Sequence, residues 1–350
     1  MYQKANVTLQ SWHFGGDEMK NIKYNVNDTN QHHPLEKSPV CQELLKTNQP
    51  GLDNVEQLGS WFASQVNGWL KPFNISRFQS WQDGIKTFAS GSTTPVKTRV
   101  NVWDTLFWGG SDMVDQLSGK EFDIVLSMPD YLYLDMPNEI DPYERGYYWA
   151  SRGNTIKKMF QFVPGNLPSN AELSKDNNGA PMTLKSNNTK PNIEGISGHL
   201  WSEVVRTDEQ MEYMIYPRLF ALAERAWYQS KWEPEFKPIT EYSATTNFID
   251  KVQVEEDYTG FINAIGYKEL GKLDRLGVQY RLPMVGSRVE NGMVLLRSEI
   301  PGVLIQYSSD QTQWKQYDGS SIPLSSGSTL YVRTISTDSK RTGRISSVIG

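Results

Sequence analysis

The stretch Trp12–Glu18, with the sequence WHFGGDE, decides how the rest of the chain is interpreted. An apolar run leads into two glycines, and two adjacent carboxylates, Asp17 and Glu18, follow at once. Glycine permits a tight turn and the close approach of another chain or a ligand. The stretch therefore predicts a buried strand that ends in a turn, with one carboxylate free to face a substrate while the other is held from behind.

The paired carboxylates have a chemical and a structural interpretation. Close like charges push two acid constants apart, so that one carboxyl can keep its proton near neutral pH and serve as a general acid. A Gly-Gly-Asp-Glu string is also typical of a turn that precedes the acidic first turn of a helix. The four residues alone favour the structural interpretation, and the flanking sequence has to decide between the two.

Size and charge exclude several classes of protein. A chain of 350 residues predicts about two domains. The formal net charge of -5 comes with both signs mixed along the chain, and no basic patch indicates nucleic acid. No apolar run reaches the roughly 20 residues of a membrane helix, and the first residues do not resemble a signal peptide. The single cysteine, Cys41, has no partner for an internal disulfide.

Aromatic residues give the first indication of a ligand. The chain has 11 Trp and 17 Tyr, many of them beside Gly, Asp or Pro rather than inside apolar runs. Amphipathic rings at loop-rich positions suit stacking on a flat, partly apolar ligand such as a sugar ring. The alternative is a large aromatic core, although cores more often use Leu, Ile and Val.

Strands and helices alternate through most of the chain, which predicts parallel β/α units. Apolar residues at helical spacing predict a helix from about Val55 to Leu70. Another helix is predicted from Thr207, where a capping box begins, and Pro217 should split it. The strand after Phe122 is predicted to continue as far as Asp135. Five predicted strands end near Phe14, Ser80, Trp103, Ser127 and His199.

The pattern changes in the last part of the chain. From Gly271 onward, short strands are separated by turns rich in Ser, Asp and Gly, which predicts a small all-β sandwich. We place the boundary between residues 1–272 and residues 273–350. Before this boundary, a long loop region from about Pro137 to Pro191 is of a length that is usually functional or mobile.

Two motifs resemble one enzyme family. The string His13–Glu18 resembles the acid/base motif of glycoside hydrolase family 20, the β-N-acetylhexosaminidases and bacterial chitobiases. The string Gly198–Glu203, followed by Tyr216–Arg218 and Ala223–Trp227, is similar to the last barrel strand and helix of that family. The motifs occur in the family's order, and the resemblance covers about residues 1 to 270. The remainder more weakly resembles the small C-terminal domain of chitobiases.

The resemblance implies a TIM (β/α)8 barrel followed by an immunoglobulin-like β-sandwich. A complete barrel needs eight strands, and in the family the Asp-Glu pair follows the fourth. The resemblance and the strand count together predict a partial barrel that lacks about the first three strands. Residues 1–272 would then be the C-terminal part of a catalytic domain, whose missing N-terminal half is expected in the full-length protein.

The family's chemistry implies a role for each matching residue. The substrate's own 2-acetamido group acts as the nucleophile, an exception among retaining glycosidases. Glu18 matches the general acid/base, Asp17 the residue that orients the acetamido group, and Tyr133 the hydroxyl that holds the acetamido oxygen. The sugar-binding matches are Trp81, Trp103 and Trp201 around the acetamido methyl, Asp135 and Glu203 on sugar hydroxyls, and Trp149 under the neighbouring sugar.

Some of these residues have a structural alternative. Tyr133 could simply face the core, and Trp149 lies in an uncertain loop. His13 and His199 are interpreted as support behind the site rather than as ligands. His32 and His33 lie in a polar loop without metal-ligand spacing. We predict neither a metal nor a cofactor.

The predicted function is hydrolysis of terminal N-acetyl-hexosamine residues from chitobiose, chitooligosaccharides or glycoconjugates. The ligand is an N-acetylglucosamine-containing oligosaccharide, and the resemblance implies a periplasmic, outer-membrane-associated or secreted protein. Because the arginine and polar groups on the family's first three strands have no counterpart here, we expect this chain alone to have little activity. The alternatives are a non-catalytic carbohydrate-binding protein and a glycosidase with a carboxylate nucleophile.

Overall fold

A parallel sheet organises the first part of the chain. In the computed structural model, which describes residues 2–19, 34–85 and 87–350, the strands of this part of the chain are β1 Ser11–His13, β2 Arg77–Trp81, β3 Thr98–Val102, β4 Asp123–Leu126, β5 Thr183–Lys185 and β6 Ile193–Ile196. The sheet has the order β1-β2-β3-β4-β6, and all its pairings are parallel, so the five predicted strands are confirmed. The prediction that the first of them is buried was wrong, because β1 lies at the end of this order and its residues are exposed.

Helices cover this sheet and continue beyond it. The helix predicted from Val55 to Leu70 forms as a 3-10 turn, Val55–Gln57, that runs into α3. The helices are α1 Pro34–Lys37, α2 Pro39–Leu45, α3 Leu58–Leu70, α4 Gly110–Gly119, α5 Pro129–Leu132, α6 Ile156–Phe160, α7 Asp208–Ile215, α8 Arg218–Trp227, α9 Lys251–Ala264 and α10 Leu270–Leu276. Further 3-10 turns are Gln3–Ala5, Lys71–Phe73, Gln82–Ile85, Leu106–Trp108 and Leu167–Glu172, and a π-helical turn, Ile265–Glu269, joins α9 to α10.

The main core lies between the sheet and helices α3 and α4. Ala63 of α3 and Val114 of α4 are fully buried against Phe78, Val100 and Ile124 of the central strands. Burial of apolar side chains of this kind is the main favourable term in folding. It fixes the central strands, and the loops at their carboxyl ends, in place.

Two local predictions can be compared with the structure. Thr207 caps α7, since its hydroxyl accepts a hydrogen bond from the Gln210 N–H, and the helix ends before Pro217, as predicted. The strand predicted to continue through Tyr133 to Asp135 was wrong. Pro129 instead begins the short helix α5, because proline is well suited to a first helical turn. After α5, Tyr133 pairs with His199 in a single parallel bridge.

The last part of the chain is a small β domain built from two antiparallel sheets. Its strands are β8 Val285–Glu290, β9 Met293–Ser298, β10 Leu304–Ser308, β11 Lys315–Gln316, β12 Ile322–Pro323, β13 Thr329–Ile335 and β14 Ser346–Ile349. The two sheets have the orders β12-β9-β8 and β11-β10-β13-β14. Outside them, the strand β7, Glu241–Ser243, pairs with β5. Val294, Ile305 and Val332 pack together in a separate core between the sheets.

The chain is thus a TIM-barrel-like α/β domain followed by a C-terminal β domain. Residues 272 and 273, between which we placed the boundary, both lie within α10, and the first strand of the β domain begins at Val285. The boundary stays a prediction. None of the helices in the described ranges is long and apolar enough to cross a membrane.

Candidate active site

The turn after β1 brings the acidic pair to the carboxyl end of the sheet. Gly15 and Gly16 both have positive φ, at 81° and 85°, the left-handed region that glycine adopts without strain. A Cβ on Gly16 would lie 2.9 Å from the Cα of Gly84, so the two backbones leave no room for a side chain. The two glycines of the motif are therefore required by the geometry of the turn.

A few hydrogen bonds tie this turn to β2. The carbonyl oxygen of Gly15 accepts from the Trp81 N–H at 3.0 Å and from the Ser80 hydroxyl at 2.9 Å. The Glu18 N–H donates to the Asp83 carboxylate at 3.3 Å, although Glu18 itself has a left-handed φ of 52°. These bonds fix the backbone, while the side chains of Asp17 and Glu18 stay exposed.

Asp83 joins the acidic turn to the aromatic wall. The same carboxylate oxygen that receives the Glu18 N–H also accepts the indole N–H of Trp103 at 3.1 Å. The backbone N–H of Trp103 donates to the side-chain oxygen of Gln82 at 2.9 Å. The sequence does not single out Asp83, because a Gln-Asp-Gly string after a strand indicates only a turn.

The predicted site residues meet in one cavity of about 550 Å³. That volume lies within the range of small-molecule sites. The structure adds Trp108, which the sequence analysis missed and which is 58% exposed at the cavity's edge. Their roles stay predictions, but no predicted site residue lies elsewhere. The lining residues are Asp17, Glu18, Trp81, Trp103, Trp108, Tyr133, Asp135, Trp149, Trp201 and Glu203.

Aromatic rings form one connected wall of this cavity. Trp201 lies 5.9 Å from both Trp81 and Tyr133, measured between ring centroids, and Tyr133 lies 6.1 Å from Trp149. Trp149 in turn meets Trp103 edge-on at 6.3 Å and lies nearly parallel to Trp108 at 6.0 Å. Large rings with a fixed orientation suit a ligand with flat apolar faces, such as a pyranose.

Two histidines form a hydrogen-bonded row behind the cavity. The Nδ1 atom of His13 accepts from the Gly15 N–H at 3.0 Å, so its proton lies on Nε2, which faces Asn101 at 3.3 Å. Asn101 donates to the Ser127 hydroxyl, which also contacts Nε2 of His199 at 3.0 Å. Burial lowers the pKa of His199 to about 4, so this histidine is neutral at pH 7. Partial desolvation lowers the pKa of the more exposed His13 as well.

Tyr133 and Asp135 are the most buried polar groups of the cavity, at 3% and 1% exposure. Burial raises the pKa of Tyr133 above its usual value, so the hydroxyl remains a donor. Burial, with repulsion from Glu203, raises the pKa of Asp135 to about 6. Within the described part of the chain, Oδ1 of Asp135 has no hydrogen-bond partner, which leaves it available to a sugar hydroxyl.

Arg218 holds the segment that carries Asp135. This arginine is fully buried at the start of α8 and donates to the carbonyl oxygens of Leu134 at 2.5 Å and Met136 at 2.8 Å, on either side of Asp135. It also donates to the carbonyl oxygen of Met214 at 2.6 Å. Burial lowers the pKa of Arg218 to about 9, which leaves it charged at pH 7. In the sequence, Arg218 stands out only as part of the Tyr216–Arg218 motif.

Metal ligands are not grouped among the described residues. No set of three or more His, Cys, Asp or Glu side chains in those ranges could hold an ion. His32 and His33 lie outside the described residues. What the cavity offers instead is a pair of exposed carboxylates, a buried phenol and several indole rings.

Comparison with known families agrees with this geometry. The family model for the catalytic domain of glycosyl hydrolase family 20 matches residues 4–230. The chain belongs to this family. The model for the chitobiase/beta-hexosaminidase C-terminal domain matches residues 269–345. The resemblance inferred from the two motifs is therefore confirmed.

Several relatives of this chain in glycosyl hydrolase family 20 are longer than the chain itself. N,N'-diacetylchitobiase from Vibrio harveyi is 41% identical over 99% of this chain, and a beta-hexosaminidase from Vibrio vulnificus is 35% identical over 100% of it. The chain spans 41% of the length of each. One solved structure is a GH20 exo-β-N-acetylglucosaminidase from Vibrio harveyi in complex with N-acetylglucosamine. Its alignment covers 80% of this chain and 34% of the solved chain, with 21% sequence identity and a TM-score of 0.47.

Proposed function

We propose that this protein hydrolyses terminal N-acetyl-hexosamine residues from chitobiose, chitooligosaccharides or glycoconjugates, with the substrate's own amide as the nucleophile. The observation that carries the proposal is one cavity that joins Asp17 and Glu18 to Tyr133 and a tryptophan wall. Membership of glycosyl hydrolase family 20 supports it, as do relatives named N,N'-diacetylchitobiase and beta-hexosaminidase.

The first step breaks the glycosidic bond. The carbonyl oxygen of the 2-acetamido group attacks the anomeric carbon, and Glu18 gives a proton to the departing glycosidic oxygen. The product of this step is a cyclic oxazolinium ion bound in the cavity. An exposed position suits Glu18, since the leaving sugar must depart from that side and water must replace it.

The second step returns the acid to its starting state. The Glu18 carboxylate takes a proton from water, the water oxygen attacks the anomeric carbon, and the oxazolinium ring opens to the acetamide. Two displacements at one carbon retain its configuration. Glu18 thus ends each cycle protonated.

Three groups act on the amide during these steps. Asp17 accepts the amide N–H and stabilises the positive charge that develops on it. The hydroxyl of Tyr133 donates to the amide oxygen and holds it against the anomeric carbon. Trp81, Trp103 and Trp201 enclose the methyl group, so that the amide has one orientation.

The remaining residues fix the rest of the substrate. Asp135 and Glu203 accept hydrogen bonds from sugar hydroxyls, and the free Oδ1 of Asp135 supports this assignment. Trp149 stacks on the neighbouring sugar, and its nearly parallel partner Trp108 extends that surface.

The finer architecture is also part of our proposal. We infer a (β/α)8 barrel represented here by five of its strands, together with an immunoglobulin-like C-terminal sandwich. In support, the five parallel strands follow one another in chain order, and β1 and β6 each pair with a single neighbour among the described residues. Two packed antiparallel sheets support the sandwich.

Turnover of a chromogenic N-acetylglucosaminide tests the function. We expect slow hydrolysis, because Asp17 and Glu18 follow the outermost strand, β1, whose three residues are all exposed. Glu18→Gln should lower the rate about 10²- to 10⁴-fold. Glu43→Gln, on the exposed surface of α2, should leave it unchanged and serves as the control.

The exposure of Asp17 and Glu18, beside the aromatic wall, also favours a second candidate, a carbohydrate-binding protein without turnover. Calorimetric titration with chitobiose separates the two candidates. Binding that is the same in the native chain and in Glu18→Gln, with hydrolysis in neither, would support the binding protein and contradict the enzyme.

A further inference from the structure

A second cavity, of about 470 Å³, lies beside the candidate active site. We call it the lysine cavity, because the residues that line it include Arg152, Lys157, Lys158 and Lys175 but only one carboxylate, that of Asp176. The rest of its lining comes from Phe107, from Ile140 and from residues 150–179, on either side of α6.

The lysine cavity shares a wall with the active site. Phe107, which lines the lysine cavity, contacts Trp108 of the active site with ring centroids 4.9 Å apart. Asn177, also in the lysine cavity, donates its side-chain N–H to the carbonyl oxygen of Trp149 at 3.2 Å. Since Trp149 is the predicted platform for the neighbouring sugar, a longer glycan that leaves over this ring comes next to the lysine cavity.

Two of the four cations are already engaged. Lys157 forms an ion pair with Glu255 at 2.8 Å. Lys158 donates to the Ser151 hydroxyl at 3.0 Å, and the buried carboxyl of Asp130 attracts its charge.

The other two cations are available to a ligand. Arg152 and Lys175 are exposed, and neither forms an ion pair with any residue that the structure describes. The one lining carboxylate, Asp176, accepts the backbone N–H groups of Asn178 and Ala180, each at 2.8 Å, within its own turn. The cavity therefore presents a positive potential to a ligand, which raises the local concentration of anions.

An unused acceptor makes the cavity suited to a sugar rather than to a simple ion. The Oδ1 atom of Asn177 is buried and has no hydrogen-bond partner among the described residues. Buried polar atoms are normally paired, so this acceptor, on a residue that lines the cavity, lacks a donor that a hydroxyl could supply.

We propose that the lysine cavity is an accessory subsite for the continuing glycan beyond Trp149, and that it selects chains carrying an anionic group, a carboxylate or a sulfate ester. Arg152 and Lys175 bind the anion, and Asn177 accepts a neighbouring hydroxyl. The inference rests on the proposed function, because it assumes that the terminal N-acetyl-hexosamine occupies the active-site cavity. The inference also predicts that glucosamine units with a protonated amine bind less tightly in the lysine cavity.

Calorimetry with the Glu18→Gln protein, which leaves the glycans intact, tests the proposal. The probes are chitotetraose, a 6-sulfated chitotetraose, and a tetrasaccharide that alternates N-acetylglucosamine with glucuronate, each with N-acetylglucosamine at its non-reducing end. We expect at least one acidic glycan to bind about five- to ten-fold more tightly than chitotetraose in low salt. The preference should fall in 0.5 M salt, and the acidic glycan that binds more tightly identifies the anion.

Substitutions show which residues cause the preference for acidic glycans. Arg152→Gln with Lys175→Gln should abolish the preference and change chitotetraose affinity less than two-fold. Arg288→Gln with Lys340→Gln, the same charge change on the distant C-terminal domain, should preserve it.

Equal affinity for all three glycans would overturn the accessory subsite, and so would a preference that survives Arg152→Gln with Lys175→Gln or an absence of binding altogether. The proposed function fails separately, through the chitobiose and hydrolysis measurements. Chitobiose binding and turnover without an acidic preference would remove this subsite alone.

Discussion

The two halves of the active-site cavity differ in how firmly the chain holds them. Tyr133 and Asp135 are almost fully buried in a segment that Arg218 fixes through two carbonyl oxygens. Asp17 and Glu18 are exposed, and their turn is tied to β2 and to Asp83 by a few hydrogen bonds. Tyr133 and Asp135 are therefore built into the core, whereas the turn that carries Asp17 and Glu18 depends on the outermost strand.

The comparison predicts that changes on the buried side affect stability and binding together, while changes on the exposed side affect turnover alone. The reason is that a buried polar group is expensive to leave without its partner, whereas an exposed one is resolvated by water. Four substitutions, from the largest expected effect to the smallest, can break or sharpen this contrast.

Arg218→Met should lower the free energy of unfolding by about 3–5 kcal/mol, because it leaves the carbonyl oxygens of Leu134, Met136 and Met214 buried without a donor. Urea denaturation measures the effect. Arg288→Met, an exposed arginine of the C-terminal domain, should change stability by less than about 0.5 kcal/mol. Equal effects of the two substitutions would mean that the buried half is not fixed by Arg218.

Tyr133→Phe should lower kcat/KM for an N-acetylglucosaminide about 100-fold, because it removes a preorganised donor to the amide oxygen. Steady-state kinetics provide the measurement. Tyr131→Phe is a matched control, since Tyr131 is equally buried but does not line the cavity. If both substitutions lowered kcat/KM equally, the role assigned to the Tyr133 hydroxyl would be wrong.

Asp135→Asn should stabilise the fold at pH 7 and weaken sugar binding. The folded-state pKa of about 6 lies above the ordinary value near 3.9, so ionising this carboxyl costs stability progressively as the pH rises through this window. At pH 7 the variant should gain about 1–3 kcal/mol in unfolding free energy, and near pH 4 the gain should vanish.

Denaturation at the two pH values, together with calorimetry, tests this expectation for Asp135. A variant that is less stable than the native chain at pH 7 would contradict it. Unchanged affinity for N-acetylglucosamine would contradict the role of Asp135 in binding sugar hydroxyls.

Asp83→Asn should lower kcat about three- to ten-fold with little change in KM, because the acceptor of the Glu18 N–H and the Trp103 indole N–H loses its charge. Asp104→Asn is the control, since Asp104 pairs with Gln82 at the next strand end and does not line the cavity. A larger loss from Asp104→Asn would show that Asp83 is not the link between the two halves.

Sequence periodicity was sufficient to predict the parallel strands and the helix α3. These elements are long or strongly patterned, and the burial of Phe78 and Val100 enforces the pattern. The strand predicted through Tyr133 failed because Pro129 begins a helical turn inside an apolar run. Even so, the parallel β-bridge between Tyr133 and His199 places Tyr133 at the cavity.

The site residues that the sequence did not identify act through contacts between distant parts of the chain. Arg218 binds carbonyl oxygens 82 and 84 residues away, and Asp83 receives the backbone N–H of a residue 65 positions earlier. Trp108 lies in a short 3-10 turn where no periodicity separates a site residue from a surface residue. Such roles depend on the folded arrangement, and a local pattern does not encode them.

The most direct test compares two 4-nitrophenyl glycosides that differ only at carbon 2, one with an acetamido group and the other with a hydroxyl. Because the result is a ratio, a slow enzyme is sufficient. We expect hydrolysis of the acetamido substrate to exceed that of the hydroxyl substrate by about 1,000-fold or more, and Asp17→Asn to remove most of the difference. Comparable rates for the two glycosides would contradict the account, since the nucleophile would then have to be a protein side chain or water.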